Sequence, residues 1–162
     1  MENRMYFRTS HKIAEIIAYA VTVVSVILAI VFAATSEGEI ATHFNLAGQA
    51  DKYGSPWSAI VLPIVMLLSN LMMLAIFRFV PISSWNMPAK VTDSNRPYVY
   101  NDIIWVVLIT MLMMAFISLL SVIGMFFFRE HYGVMIIGIT VVGMIIMTVF
   151  IIKSVIDSKR YA

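Results

Sequence analysis

Residues 40–57 read IATHFNLAGQADKYGSPW and separate two hydrophobic segments with polar residues and glycines. Each flanking segment is long enough to cross a bilayer as a helix, which takes about 20 apolar residues. Gly48 and Gly54 allow the backbone to turn tightly, because glycine adopts a positive φ without steric cost. The stretch therefore predicts a shaped loop held at a membrane surface. Its hydrogen-bonding side chains are those of His43, Asn45, Asp51 and Ser55.

The composition is that of a membrane protein. Hydrophobic residues make up 61% of the 162 residues and charged residues 12%, which is too apolar for a soluble domain with a wetted surface. The first hydrophobic segment is too long for the core of a signal peptide, so we expect it to remain as a membrane anchor. The absence of cysteine excludes disulfides and thiolate zinc sites.

Four apolar segments predict an all-α fold, an integral membrane four-helix bundle that forms one domain over residues 1–162. Loop 36–56 joins the first two spans, link 80–101 joins the second and third, and a short turn at 129–133 makes the last two antiparallel neighbours. The expected spans cover residues of about 13–35, 57–79, 102–128 and 134–152.

The distribution of Lys and Arg predicts the orientation. Nine of the eleven fall in the two termini, at the end of the second span and in link 80–101, so the positive-inside rule places these segments in the cytoplasm with loop 36–56 and the 129–133 turn outside. The nine are Arg4, Arg8, Lys12, Arg78, Lys90, Arg96, Lys153, Lys159 and Arg160, against Lys52 and Arg129. The outer face would then be modestly acidic, with Glu37, Glu39, Asp51 and Glu130.

Asn70 and Glu15 are the polar residues of the spans for which the sequence suggests a partner or a role. Asn70 lies near the bilayer centre, where an unpaired carboxamide is costly, so we expect it to face the bundle and to hydrogen-bond to another helix. Its alternative role is to line a path for a translocated solute. Glu15 lies one turn inside the first span and is expected to pair with Lys12 or Arg8, or to extend to the interface.

The outer face offers residues for a divalent metal site. His43 and His131 would supply nitrogen ligands and Glu37, Glu39 or Asp51 oxygen ligands, a set that suits zinc. No two of these residues have the close spacing of a local zinc motif, so the main expectation is that no cofactor binds. The competing interpretation is that His43, Asn45 and Asp51 hydrogen-bond to backbone groups within the loop. Asp51 would then cap the turn that leads into the second helix.

Enzymatic and nucleic-acid functions have no support in the sequence, and we expect no catalytic activity. No serine, histidine and carboxylate are placed together as a nucleophilic site requires. No glycine-rich phosphate loop is present. The basic residues are spread over three segments rather than gathered on one face, which argues against nucleic-acid binding.

The polar loop resembles a known family. Its pattern H-F-N-x-x-G-x-x-D-x-x-G-S is similar to the signature of an uncharacterised bacterial membrane domain that also forms the N-terminal part of SdpI-type bacteriocin immunity proteins. The similarity continues through NMPAKVTDSN at residues 86–95 and covers about residues 37–120. The chain departs from the family at Ala41, where proline is usual, and at Pro56, where lysine is common. It lacks the longer C-terminal half of full-length SdpI-type proteins. The pattern comprises His43, Phe44, Asn45, Gly48, Asp51, Gly54 and Ser55.

The resemblance implies a non-enzymatic, multi-pass protein of the bacterial cytoplasmic membrane. In such a protein the outer loop would meet a membrane-active peptide toxin, and link 80–101 would relay its presence to a cytoplasmic regulator. A homo-oligomer is compatible with this interpretation. The alternatives are a small transporter or channel component, with Asn70 lining the path, and an accessory scaffold subunit of a membrane complex.

Overall fold

The computed structural model describes residues 5–87, 90–128 and 132–160 and contains four helices that are long and apolar enough to cross a membrane. The predicted all-α membrane fold is confirmed, and the chain is a multi-pass membrane protein. The helices are α1 (Thr9–Thr35), α2 (Val61–Phe79), α3 (Arg96–Phe128) and α4 (Tyr132–Arg160). Successive helices run in opposite directions, so the start of α1 and the end of α4 lie at one end of the bundle, hereafter the terminal end.

Three helices extend beyond the predicted spans, and α1 does so by beginning at Thr9 rather than near residue 13. Helix α3 begins at Arg96 rather than near residue 102, and α4 continues to Arg160 rather than ending near 152. Pro97 does not oppose the early start, because the first turn of a helix has no intrahelical acceptor for its N–H groups. Asn95 precedes the helix and its carbonyl accepts from the N–H of Val99 at 3.0 Å. The predicted link therefore shortens to residues 80–95.

A β-hairpin that the sequence analysis did not identify occupies the opposite end, hereafter the hairpin end. Strand β1 (Ile40–Phe44) pairs antiparallel with β2 (Ala50–Gly54), and a 3₁₀ turn at Pro56–Ile60 leads into α2. The predicted polar loop thus contains regular structure. Five-residue strands with two irregularities in register lack the clean alternation of polar and apolar residues by which a strand is usually recognised.

The helices pack around α1 and α3. Helix α1 contacts α2, α3 and the 3₁₀ turn, whereas α4 packs along α3. The buried apolar core lies at the terminal end, where small residues on α1 let the helices approach closely. Its members include Ala14, Ala18, Phe77, Ile104, Leu108 and Met111.

Asn70 forms the interhelical hydrogen bond that the sequence predicts. Its side chain is fully buried, and Nδ2 donates to Thr22 Oγ1 of α1 at 3.0 Å and to the Met111 carbonyl of α3 at 3.5 Å. Tyr19 donates its hydroxyl to the Asn70 carbonyl at 2.8 Å. A single α2 residue therefore joins three helices in the middle of the bundle.

The prediction that Glu15 pairs with Lys12 or Arg8, or extends to the interface, was wrong. Arg78 Nη2, at the end of α2, donates to Glu15 Oε1 at 2.9 Å and to Oε2 at 3.2 Å. Lys12 is exposed, whereas Glu15 lies on the buried face of α1 that α2 covers. The ion pair therefore bridges two helices rather than two turns of one helix, which sequence spacing alone does not reveal.

We predict that Asn70→Leu lowers the free energy of unfolding by about 1 kcal/mol, within the range measured for interhelical hydrogen bonds in membranes. Thr22 is not left unpaired by this change, because its hydroxyl also donates to the Ala18 carbonyl at 2.7 Å. Equilibrium unfolding in mixed detergent micelles measures the effect. Ser69→Ala is the control, since Ser69 bonds only within its own helix, to the Val65 carbonyl. An equal effect of the two changes would contradict the assignment.

Arg78→Ala should destabilise the protein by about 2 kcal/mol or more, because it leaves the buried Glu15 carboxylate without its partner. Removing one member of a fully buried pair costs roughly 3–5 kcal/mol, and the 44% exposure of the Arg78 side chain reduces this. The same unfolding measurement on Lys12→Ala gives the comparison. Equal stability of the two variants would show that Glu15 does not depend on Arg78.

Candidate ligand-sensing site at the hairpin

The hairpin turn is built by Asn45 and Gly48. The Asn45 carbonyl accepts from the Gly48 N–H at 2.9 Å, and Asn45 Oδ1 accepts from the N–H groups of Ala47 and Gln49 at 2.9 and 3.0 Å. Gly48 has a φ of +76°, which glycine adopts without strain. Asparagine at the first position of a type I turn, with glycine in the left-handed region three residues later, is a common three-residue hairpin connection. The N-x-x-G part of the pattern therefore encodes this turn.

His43 and Asp51 form a side-chain hydrogen bond across the hairpin. His43 Nδ1 lies 2.5 Å from Asp51 Oδ1, and both side chains are substantially exposed. In the strand register His43 faces Lys52 and Phe44 faces Ala50, so Asp51 is an extra residue at an irregularity. Bulges of this kind change the direction of a side chain. We conclude that the irregular register brings the two groups together.

The expectation that Asp51 caps the entry to the second helix was wrong, because Ser55 does so. Ser55 Oγ accepts from the Trp57 N–H at 3.4 Å, and the Ser55 carbonyl accepts from the Ser58 N–H at 2.9 Å. The expectation that the loop's polar side chains bond to its backbone holds for Asn45. His43 and Asp51 bond to each other instead.

Three glycines permit close packing of the hairpin. A Cβ at Gly54 would lie 3.1 Å from Thr42 Cγ2 on the opposite strand. A Cβ at Gly133 would lie 2.6 Å from the Phe44 ring, and a Cβ at Gly48 would lie 3.0 Å from the Val134 backbone nitrogen. The hairpin thus lies directly against the start of α4. The start of α4 and the hairpin therefore lie at the same end of the bundle.

A cleft of about 460 Å³ lies beneath the hairpin, between β1 and helices α2, α3 and α4. Its walls are mainly apolar, with the hydroxyl groups of Thr42, Ser58 and Ser121 as the polar exceptions. The apolar walls include Ile40, Phe44, Leu62, Val65, Met125 and Ile136.

The outward surface of the hairpin end combines negative charge with exposed apolar side chains. Glu37, Glu39 and Asp51 are exposed there, against Lys52. Leu46 projects fully from the turn, and Tyr53 and Trp57 are about half exposed. The surface therefore has the chemistry to contact a cationic molecule with apolar groups.

The structure brings together two of the five residues proposed as metal ligands. His43 and Asp51 are paired, but within the described ranges no third histidine, aspartate or glutamate joins them, Glu39 included. His131 and Glu130 lie outside the described residues. Zinc binding by the full set therefore stays a prediction.

Sequence reasoning did not identify the role of Asn95 in tying the link to α4. Its side chain is fully buried, and Nδ2 donates to the Ser158 carbonyl of α4 at 3.2 Å and to the Lys90 carbonyl at 3.1 Å. Lys153 of α4 also lies 3.9 Å from the largely buried Asp102 of α3. A contact with a residue far along the chain leaves no local pattern in the sequence.

Gly48→Ala is predicted to weaken the docking of the hairpin more than Gly38→Ala does. Both glycines have a positive φ, +76° and +78°, so alanine is strained by about 1 kcal/mol at either position. A Cβ at position 48 would also collide with Val134 of α4, whereas a Cβ at position 38 would have nothing within 4 Å. Hydrogen exchange of the amides in residues 40–54 should therefore accelerate clearly in Gly48→Ala. Equal exchange in both variants would contradict the docking contact.

The comparisons with known proteins address the same region. Residues 20–67 match a domain of unknown function, DUF1648. No curated protein and no solved structure matches the chain. The matched stretch includes most of α1, the whole hairpin and the beginning of α2. The hairpin and the adjoining parts of α1 and α2 are therefore similar to a domain of unknown function.

Proposed function

We propose that the protein is a non-enzymatic membrane sensor and immunity protein of the SdpI type, which meets a membrane-active peptide at its hairpin. The observation that carries this proposal is that all seven residues of the sequence pattern belong to one hairpin, docked at the end of the bundle. Asn45 and Gly48 form the turn of the hairpin, and His43 and Asp51 are paired across it. Ser55 caps the 3₁₀ turn that leads into α2. The remaining two, Phe44 and Gly54, make the close contacts. The pattern therefore specifies a presented surface rather than a reactive group.

The orientation follows from the charges. Most Lys and Arg residues belong to the terminal end, which the positive-inside rule assigns to the cytoplasm. The hairpin would then face the exterior of a bacterial cell, in its cytoplasmic membrane. An acidic surface with exposed Leu46 and Trp57 suits a peptide that carries positive charges and apolar side chains.

Helix α4 provides a route from the hairpin to the cytoplasm. Its first residues contact the hairpin at Gly48 and Phe44, and its last turns hold Asn95 of the link through the Ser158 carbonyl. Because α4 packs along α3 rather than within the core, a shift of the hairpin can displace it at modest cost. Displacement of α4 would then move link 80–95, where a regulator would bind.

Protection of a toxin-sensitive strain tests this proposal. Cells expressing the protein should survive the peptide, whereas Asp51→Ala and Asn45→Ala should lose most of the protection, because each removes a contact that holds the hairpin together. Lys52→Ala, on the same strand, is the matched control and should protect like the wild type. Membrane levels of each variant are measured by immunoblotting. Full protection by both Asp51→Ala and Asn45→Ala would refute the role of the hairpin as the receptor.

A further inference from the structure

The cleft beneath the hairpin has the size of a small-molecule site. Its volume of about 460 Å³ falls within the roughly 300–1,000 Å³ typical of ligand pockets. It is too small for a transmembrane helix, because one turn with side chains, about 10 Å wide and 5.4 Å high, already occupies about 420 Å³. Neither a second copy of the chain nor a helical partner can therefore fill it. A slender, flexible chain can fill the cleft.

The walls of the cleft favour an apolar occupant. No charged residue of the described ranges lines it. Its three hydroxyl groups already donate to backbone carbonyls, Ser58 to Ser55 at 2.6 Å and Ser121 to Ile117 at 2.6 Å, and Thr42 to Lys52 at 3.3 Å. A phosphate, carboxylate or ester group placed there would find no hydrogen-bond donor and would pay the cost of desolvation.

The cleft opens along a helix that crosses the membrane. Val61 and Val65 stand at its edge on α2 and are 62% and 49% exposed. The two residues are one turn apart, so the opening extends about 6 Å down the helix, at 1.5 Å per residue. The hairpin covers the top of the cleft through Ile40, Ala41 and Phe44. An occupant therefore enters sideways from the bilayer rather than from the water.

We propose that this cleft holds one hydrocarbon chain of a lipid from the leaflet at the hairpin end. The chain lies between α2 and α3 beneath β1, and its head group stays outside, at the membrane surface. This inference is independent of the proposed peptide-sensing function, because it needs neither a toxin nor a defined orientation of the protein. It assigns a ligand to the space over which the hairpin is docked.

A lipid with a diazirine at the end of one acyl chain tests the proposal. The protein is placed in nanodiscs that contain a small fraction of this lipid, irradiated, digested and analysed by mass spectrometry. Labelling is expected at Val65, Met125 and Ile136, in excess of that at Ile145 on the lipid-facing side of α4. Val65→Phe, which fills the cleft from its edge, should lower labelling of Met125 and Ile136 about fivefold, equivalent to about 1 kcal/mol.

Matched variants and probes make each outcome decisive. Leu68→Phe introduces the same side chain on α2 outside the cleft and should leave labelling unchanged. If Val65→Phe does not fold, Ile136→Phe replaces it, with Ile137→Phe as its control. Cleft labelling no higher than at Ile145, or equal in filled and control variants, would overturn the proposal. Labelling of the cleft by a diazirine in the lipid head group would also overturn the proposal. So would labelling of the cleft by an apolar peptide in the absence of labelling by the acyl chain.

Discussion

The structure depends on the absence of side chains at Gly48 and Gly133. These two positions let the hairpin lie against the first turn of α4, with the Phe44 ring over one glycine and the Val134 backbone next to the other. That contact holds the hairpin to the bundle in addition to its connections to the ends of α1 and α2. With it, the hairpin covers a cleft between the helices and touches a helix that reaches the other face of the membrane.

The bilayer imposes the second constraint, since polar groups within it must find partners inside the protein. Asn70 satisfies this requirement by hydrogen-bonding to α1 and α3, and Glu15 satisfies it by pairing with Arg78. Asn70 holds α2 to α1 and α3 in the middle of the bundle, and the Glu15–Arg78 pair holds α2 to α1 at the terminal end. At the hairpin end a cleft remains between α2, α3, α4 and β1.

The sequence predicted the features that follow from composition and local spacing. Four apolar segments gave four helices, and the cost of an unpaired carboxamide predicted that Asn70 faces the bundle. The hairpin was missed because its strands are short and its register is irregular at Asp51, so its alternation is obscured. The partners of Glu15 and Asn95 were missed for another reason. Arg78 and Ser158 are each 63 positions away along the chain, and only packing of the helices brings them close.

The placement of the hairpin on the outside of the cell is the central claim, and cysteine labelling tests it most directly. The chain contains no cysteine, so a single one can be introduced at Gln49 in the turn or at Ser94 in the link. The account predicts that a membrane-impermeant maleimide added to intact cells modifies the cysteine at 49 and leaves the one at 94 unmodified until the cells are opened. Modification at 94 and not at 49 in intact cells would contradict the account, because the hairpin would then face the cytoplasm.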